Sequence, residues 1–410
     1  MNRKWKGLAV LLFALLAIVP VQAEETEVSD GKVKWENGVI QFISDDGNFK
    51  TRFDVRLFVN GAYFFENKNE LSNGTHLRKA RFAMKTRVWQ NWDIEWDMDI
   101  AEGTVEAKDM FVSYVGLRNS HIKLGHFKMP MSLEELTTSR YITFIERSYP
   151  MLAFKIDRRT AIEYSRWGKR YNIRAAIFGQ TMDNVKNKTI DETGGGAAVR
   201  LALAPIKTDR FLMHLGAAYV WENPDDNTKM VQYQSEPETK IGDVEIIQTP
   251  NIPFVDHVNK IGLELAFQYK NFSIQSEIID NKIFRMDGYR DVQFGGGYAF
   301  VSWVLTGEKR IWDVQQGEFG QIIPKSNKWG AWEIAARYSH LDLSDTDAGI
   351  LGGMGNNYTA ALNWYPNPNI KFQLNYTMAE FSENATGKNN NEFIGGDKFA
   401  ILHAMIVAFF

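Results

Sequence analysis

The stretch Lys50-Thr51-Arg52-Phe53-Asp54-Val55-Arg56-Leu57-Phe58-Val59-Asn60-Gly61-Ala62-Tyr63-Phe64 decides the fold class. Within it Phe53, Val55, Leu57 and Val59 alternate with Arg52, Asp54, Arg56 and Asn60. Alternation with a period of two marks a β-strand, because successive side chains leave opposite faces of the backbone. One face is apolar and the other ionic. In a soluble sandwich the apolar face would meet a second sheet. In an outer-membrane barrel it would meet lipid while the charges face a wet lumen. One strand alone is compatible with both.

Repetition separates the two. Ala80, Phe82, Met84 and Val88 alternate with Lys79, Arg81, Lys85 and Arg87, and Ile94, Trp96, Met98 and Ile100 alternate with Asp93, Glu95, Asp97 and Asp99. The same pattern returns with Ile261, Leu263, Leu265, Phe267 and Tyr269, with Trp332, Ile334, Ala336 and Tyr338, and with Ile370, Phe372, Leu374, Tyr376 and Met378. Runs of about 9–11 residues exceed the ~5–6 usual in soluble sheets and match a tilted membrane crossing. Tight connections at Gln90-Asn91, Trp167-Gly168, Tyr269-Lys270-Asn271 and Pro366-Asn367-Pro368-Asn369 alternate with longer polar ones at 65–75, 129–158, 181–193, 222–256, 282–291 and 382–395. Short turns at one end and long loops at the other are how bacterial outer-membrane barrels are organised, and the count comes to about sixteen antiparallel strands, an even number. The stretch between Leu305 and Trp329 breaks the rule, since it is long on the short-turn side.

The beginning of the chain reads as an export signal. Arg3, Lys4 and Lys6 precede an uncharged apolar run from Leu8 to Val19, and Val21-Gln22-Ala23 supplies small residues for cleavage after Ala23. The apolar run is too short to span a bilayer, which takes about 20 residues. The expected organisation is therefore a signal peptide at 1–23, a periplasmic lead-in at 24–48 and a single barrel at 49–410, in the outer membrane of a Gram-negative cell. Cysteine is absent, which excludes disulfides and thiolate metal sites. The formal charge of -3 becomes about -6 once the leader is removed, which speaks against nucleic acid as a partner. The aromatic content of 13% suits interfacial girdles in contact with membrane lipid. Phe410 ends the chain behind Ala404, Ile406 and Ala408 and resembles the terminal aromatic signal read by the barrel-assembly machinery, although Met405 and Val407 blur the alternation there.

Several segments resemble the phosphate-selective porin O and P family. They are Leu77-Arg78-Lys79-Ala80-Arg81, Lys123-Leu124-Gly125-His126-Phe127-Lys128, Ser132-Leu133-Glu134-Glu135-Leu136 through Tyr141-Ile142-Thr143-Phe144-Ile145-Glu146-Arg147, Val304-Leu305-Thr306-Gly307-Glu308, Gly330-Ala331-Trp332-Glu333 through Arg337-Tyr338-Ser339, and Asn357-Tyr358-Thr359 through Asn363-Trp364-Tyr365. They occur in order across nearly the whole mature chain. The resemblance implies a homotrimer of sixteen-stranded barrels narrowed by the third loop, 129–158, and the fifth, 222–256. It also implies an inward-folded turn, which would account for 306–328. The function implied is passive diffusion of small anionic, phosphate-like solutes, with no catalytic step, cofactor or metal.

In such a pore the placement of charge is the chemistry. The first two strands put Arg52, Arg56, Lys79, Arg81, Lys85 and Arg87 on the polar face, and the third answers with Asp93, Glu95, Asp97 and Asp99. These form an opposing acidic wall adjacent to the basic row, so that the two set up a field across the pore. Arginine suits anion transfer because its planar fork can grip phosphate or carboxylate bidentately. The resemblance assigns Arg56, Arg78 and Lys79 to a basic ladder, although strict alternation turns Arg78 outward. In the third loop Glu134, Glu135, Glu146 and Arg147 are expected at the constriction, and Arg140 matches a basic position of the family. Glu135 stands where phosphate-binding members carry a lysine, and a carboxylate there repels phosphate unless it is paired. A general or carboxylate-preferring pore is the alternative. An adhesive barrel is a further one, as is a barrel hydrolase, for which neither an H-E-x-x-H motif nor a suggestive nucleophile spacing is present. Gly194-Gly195-Gly196 and Gly295-Gly296-Gly297 lack the strand-to-helix setting of a phosphate loop and are expected to ease curvature or admit a loop.

Overall fold

A computed structural model describes residues 32–36, 39–179, 194–224, 228–242, 244–326, 328–387 and 392–410. The leader at 1–23 and the loop expected at 181–193 lie outside them. The strands, in chain order, are β1 (Lys32–Glu36), β2 (Val39–Ile43), β3 (Phe49–Phe65), β4 (Gly74–Val88), β5 (Trp92–Asp99), β6 (Glu106–Leu117), β7 (Ser120–Lys128), β8 (Arg158–Trp167), β9 (Tyr171–Phe178), β10 (Gly196–Lys207) and β11 (Phe211–Glu222). They continue with β12 (Gln234–Ser235), β13 (Ile247–Gln248), β14 (Val255–Tyr269), β15 (Phe272–Arg285), β16 (Val292–Val304), β17 (Trp312–Asp313), β18 (Glu318–Phe319), β19 (Ala331–Asp345), β20 (Ile350–Asn367), β21 (Ile370–Phe381) and β22 (Lys398–Phe409). Two short helices, α1 (Leu133–Leu136) and α2 (Tyr149–Phe154), lie between β7 and β8.

Sixteen of the strands pair antiparallel in sequence order and close on themselves, while β12–β13 and β17–β18 are separate small hairpins. Closure runs through β22 and β3, from Ala400 opposite Phe65 to Phe409 opposite Arg56. Beyond it Val55 N–H donates to Phe410 O at 2.6 Å and Phe410 N–H donates to Val55 O at 3.1 Å. A closed ring leaves no unpaired edge in the membrane, where each unsatisfied peptide group would cost several kcal/mol. β1 and β2 form a hairpin that continues the sheet at the short-turn end, with Gln41 opposite Arg52.

Alternation decides which face looks out. Val55, Leu57, Val59 and Tyr63 point outward from β3, whereas Asp54, Arg56, Phe58 and Asn60 point inward and are buried. Aromatic pairs ring the outside at the short-turn end, including Trp92–Tyr114 and a stack of Trp332, Trp364 and Phe372. Tyr63, Phe65 and Tyr376 cluster toward the long-loop end. These are the girdles of a membrane-spanning barrel. The turn after β4 holds Trp89 at φ 48° and Gln90 at φ 60°. Two consecutive positive values are what a tight hairpin needs to follow the right-handed strand twist.

Three connections fold into the lumen. Loop 129–157 crosses it and is tied to the far side, where Asn363 donates to Thr143 O at 2.8 Å, Lys371 to Ile142 O at 2.5 Å and Tyr149 Oη to Asn357 at 3.1 Å. Its helix α1 begins at Ser132, whose hydroxyl accepts from Glu135 N–H at 3.1 Å, a Ser-x-x-Glu start that satisfies an otherwise orphaned amide. Loop 223–254 covers it, burying Tyr233, Ile246 and Ile247 in one cluster with Tyr149, Met151 and Phe154. From the opposite end, 305–330 rises until Trp312 and Phe319 pack against Leu133 of α1. The long segment on the short-turn side is therefore an inward fold. It is held where Asn172 donates to Gln315 O at 2.7 Å and Arg200 to Gly317 O at 2.9 Å. Gly296 admits loop 129–157 against the wall, since a Cβ there would lie 3.0 Å from Pro150 Cβ and 2.8 Å from His340 O.

Candidate functional site

The inward folds crowd the side of the lumen under β10–β22 and leave a cavity of about 660 Å³ along β3–β9. Fifteen Lys or Arg residues line it against nine Asp or Glu, a formal excess of six positive charges. Strands β3 and β4 contribute Arg52, Arg56, Arg78, Lys79, Arg81 and Lys85, loop 129–157 contributes Arg140 and Arg147, and the inward turn contributes Asp313 and Glu318.

Arg78 reaches the lumen through an irregularity that alternation cannot show. The β3–β4 register runs from Phe58 opposite Lys79 to Val59 opposite Leu77, so Arg78 is an extra residue in the ladder. A bulge of this kind turns two successive side chains to one face. Arg78 then makes a bidentate contact with Glu146, Nε to Oε1 at 2.6 Å and Nη2 to Oε2 at 3.0 Å.

One expectation needs correction. Arg87 is on the same face as Lys85 but does not line the cavity; it sits at the short-turn end, exposed, and forks onto Asp93 at 2.6 and 2.7 Å. The acidic row is adjacent to the basic one. β5 is hydrogen-bonded to β4, so Asp93, Glu95, Asp97 and Asp99 lie opposite Arg87, Lys85, Ala83 and Arg81 in the ladder. The charges pair side by side: Lys85–Glu95 at 2.8 Å, Arg81–Asp99 at 2.9 Å, and Asp97 at 3.6 and 3.8 Å from Arg81 and Arg56. Glu95 and Asp99 line the cavity, while Asp97 is buried behind it.

Within loop 129–157 the four expected constriction residues divide. Glu134 and Glu146 are anchors: Glu134 accepts from Ser148 and lies 3.3 Å from Arg337, and Glu146 holds Arg78. Glu135 and Arg147 line the cavity. The Glu135 carboxylate is matched twice, by Arg147 at 2.9 Å and Lys128 at 3.0 Å. Burial works to raise its pKa, but the Arg147 and Lys128 charges outweigh it and hold Glu135 below the usual carboxylate range. Glu146, where burial is likewise overcome by Arg78, is held down at about 2.

Sequence reading missed the second half of the basic lining: Lys108, Lys123, Lys128, Lys155, Arg158, Arg174 and Lys240. Arg158 forks onto Asp109 at 2.9 and 3.2 Å, and Arg174 binds Glu163 at 2.9 Å. The β5–β6 register shifts between Trp96 and Met98, which scrambles the alternation around Lys108 and Asp109. Lys123 and Lys128, by contrast, lay in plain view in the Lys123–Lys128 segment. Glu95, Asp97 and Asp109 bring carboxylate oxygens within 4.8 Å of one another, enough to chelate a cation by spacing alone. Each already faces Lys85, Arg81 or Arg158 at 2.8–3.6 Å, so the group is the counter-charge of the basic lining.

The sequence profile described as phosphate-selective porin O and P matches residues 49–409. Porin O of Pseudomonas aeruginosa is 23% identical over 413 aligned residues, covering 91% of this chain and 92% of that one. Among solved structures, the anion-selective porin from Comamonas acidovorans superposes with a TM-score of 0.54 at 12% identity, over 88% of this chain and 100% of that one. The trimer form of OmpT from Vibrio cholerae gives 0.54 at 8% identity, over 88% and 99%.

Proposed function

The chain belongs to the phosphate-selective porin O and P family, and on that premise we propose that it passes small anions, phosphate among them, through the basic side of its lumen. It is an outer-membrane porin, and nothing in this reading makes or breaks a bond. The observation that carries the anion preference is an inversion of charge. The whole chain has a formal charge of -3, yet the cavity lining carries an excess of six positive charges. Low-dielectric walls focus that field along the passage and raise the local concentration of anions over cations. Guanidinium groups spaced along β3, β4 and β8 then replace part of the anion's hydration shell by hydrogen bonds.

Phosphate is kept among the solutes because Glu135, the residue that stands against it in sequence, is neutralised by Lys128 and Arg147. The test is a planar-bilayer recording of the purified protein in a potassium chloride gradient. The reversal potential takes the sign of anion permeation, and a cation sign overturns the reading. Added phosphate then reduces chloride current at concentrations where a dicarboxylate does not; equal inhibition by both leaves a general anion pore.

The working unit in this proposal is a homotrimer, consistent with the trimeric OmpT structure and testable by cross-linking in detergent. The leader at 1–23 directs export, and Phe410, half exposed on the outer surface at the seam, is the contact for barrel assembly. Phe410→Ala should lower the amount of folded protein in the outer membrane.

A further inference from the structure

Of the fifteen cations that line the cavity, thirteen have a carboxylate within 4.0 Å. Lys79 and Lys123 are the exceptions among the described residues, and both rest on aromatic rings. The Lys79 ammonium is 5.4 Å from the centroid of Phe58. That of Lys123 is 4.5 Å from Phe111 and 4.9 Å from Phe127. A carboxylate holds a cation by cancelling its charge. A ring holds it through a quadrupole, which fixes the position without supplying a counter-charge.

The neighbouring carboxylates are taken by other cations. Glu163 is the direct cross-strand neighbour of Lys123, yet its carboxylate is taken by Arg174 at 2.9 Å. Glu146, on the loop that passes Lys79, is taken bidentately by Arg78. The seats are rigid as well. Phe58 packs among Ile145, Met405, Val407 and Phe409, and Phe111 meets Phe127 edge-on at 6.1 Å. Gly125, opposite Phe111 in the ladder, has φ +139°, and a Cβ there would fall 2.3 Å from Met110 O and 2.6 Å from Phe111 Cα. Only glycine permits the close strand approach that places Phe111 beside Lys123.

Building on the anion-pore reading, we propose that Lys79 and Lys123, seated on Phe58 and on the Phe111–Phe127 pair, are the two stations at which a permeating anion binds. Lys79 lies toward the long-loop end of β4 and Lys123 three residues from the turn that opens β7, so the two are set at different depths in the lumen. The carboxylate-paired arginines supply the field; the two ring-seated lysines supply the contacts that saturate. The rings are positioning residues, which makes a charge-neutral test possible.

The purified full-length protein is recorded in planar bilayers with potassium chloride and potassium phosphate over a range of concentrations. Lys79→Gln and Lys123→Gln each raise the half-saturation concentration of anion current by about threefold or more. Phe58→Leu and Phe127→Leu raise it by about twofold with the number of charges unchanged, as the freed lysine loses its fixed position. Lys79→Arg and Lys123→Arg, which keep both charge and ring contact, retain the wild-type value. Unaltered half-saturation in the glutamine variants of an anion-preferring channel overturns the stations, and unaltered half-saturation in the leucine variants overturns the role of the rings. A wild-type channel that prefers cations overturns the proposed function itself.

Discussion

The two sides of the lumen handle charge differently. Under β10–β22, where the inward folds sit, ionic groups are few, short-range and committed. Arg200 lies 2.7 Å from Glu264, and Arg337 lies 2.6 Å from Glu238 while its guanidinium covers Phe144 at 4.3 Å. Along β3–β6 they are crowded and shared. Asp54 has Arg52, Lys85, Arg56 and Arg140 between 3.5 and 4.0 Å. The difference teaches what each side is for. Tight pairs stripped of water act as bolts, because removing one member strands the other. Loose, redundant clusters leave donors for a passing anion.

The severest way to break this contrast is Arg337→Ala. It strands Glu238 and Glu134, and should cost about 3–5 kcal/mol of stability while freeing both loops, so that single-channel conductance rises. Conductance at the wild-type level would mean that the loops are held elsewhere. Next comes Leu133→Ala, which removes the contact of loop 129–157 with Trp312 and Phe319 and should cost about 3 kcal/mol by denaturant unfolding in detergent.

Acid tests the bolt between loop and wall. The Glu146 carboxylate, held at about 2 in the folded protein, would titrate near 4.3 in the unfolded chain. A depressed pKa stabilises above the unfolded value and loses that contribution as pH falls toward the folded one. Loosening of the Arg78–Glu146 tie should therefore raise conductance only below about pH 4. A midpoint near neutrality would place the sensitive group elsewhere. The smallest stability effect belongs to the shared side. Arg56→Gln should cost about 1 kcal/mol or less, since Asp54 keeps Lys85 and Asp97 keeps Arg81. Its effect belongs in the reversal potential, which should move toward zero.

The barrel was legible because lipid and water impose opposite demands on alternate residues, crossing after crossing. Alternation failed where neither solvent is present. Met405 and Val407 look inward, against pattern, because Ile145 and Tyr141 of the folded-in loop cover them. Leu341 and Leu343 are apolar and inward for the same reason, beneath Tyr149 and its neighbours. A contact between segments hundreds of residues apart leaves no periodic trace. The basic residues of β3 and β4 were visible on the page, and so was the acidic strand beside them, which is their hydrogen-bonded neighbour. Sequence order alone gave that adjacency, since antiparallel barrels pair consecutive strands. The bulge that turns Arg78 inward, and the glycine that brings Phe111 under Lys123, depend on backbone geometry with no compositional mark.

The seam between β22 and β3 joins the last strand made to one of the first. During synthesis residues 56–65 are complete long before residues 400–409 exist, so the ring has no way to shut until β22 has left the ribosome. Contacts so remote along the chain are slow to form, and every earlier intermediate presents two raw strand margins able to recruit another chain. Such a polypeptide has to be escorted unfolded to the place where it closes, and loss of β22 would spoil the whole circle rather than trim one side of it.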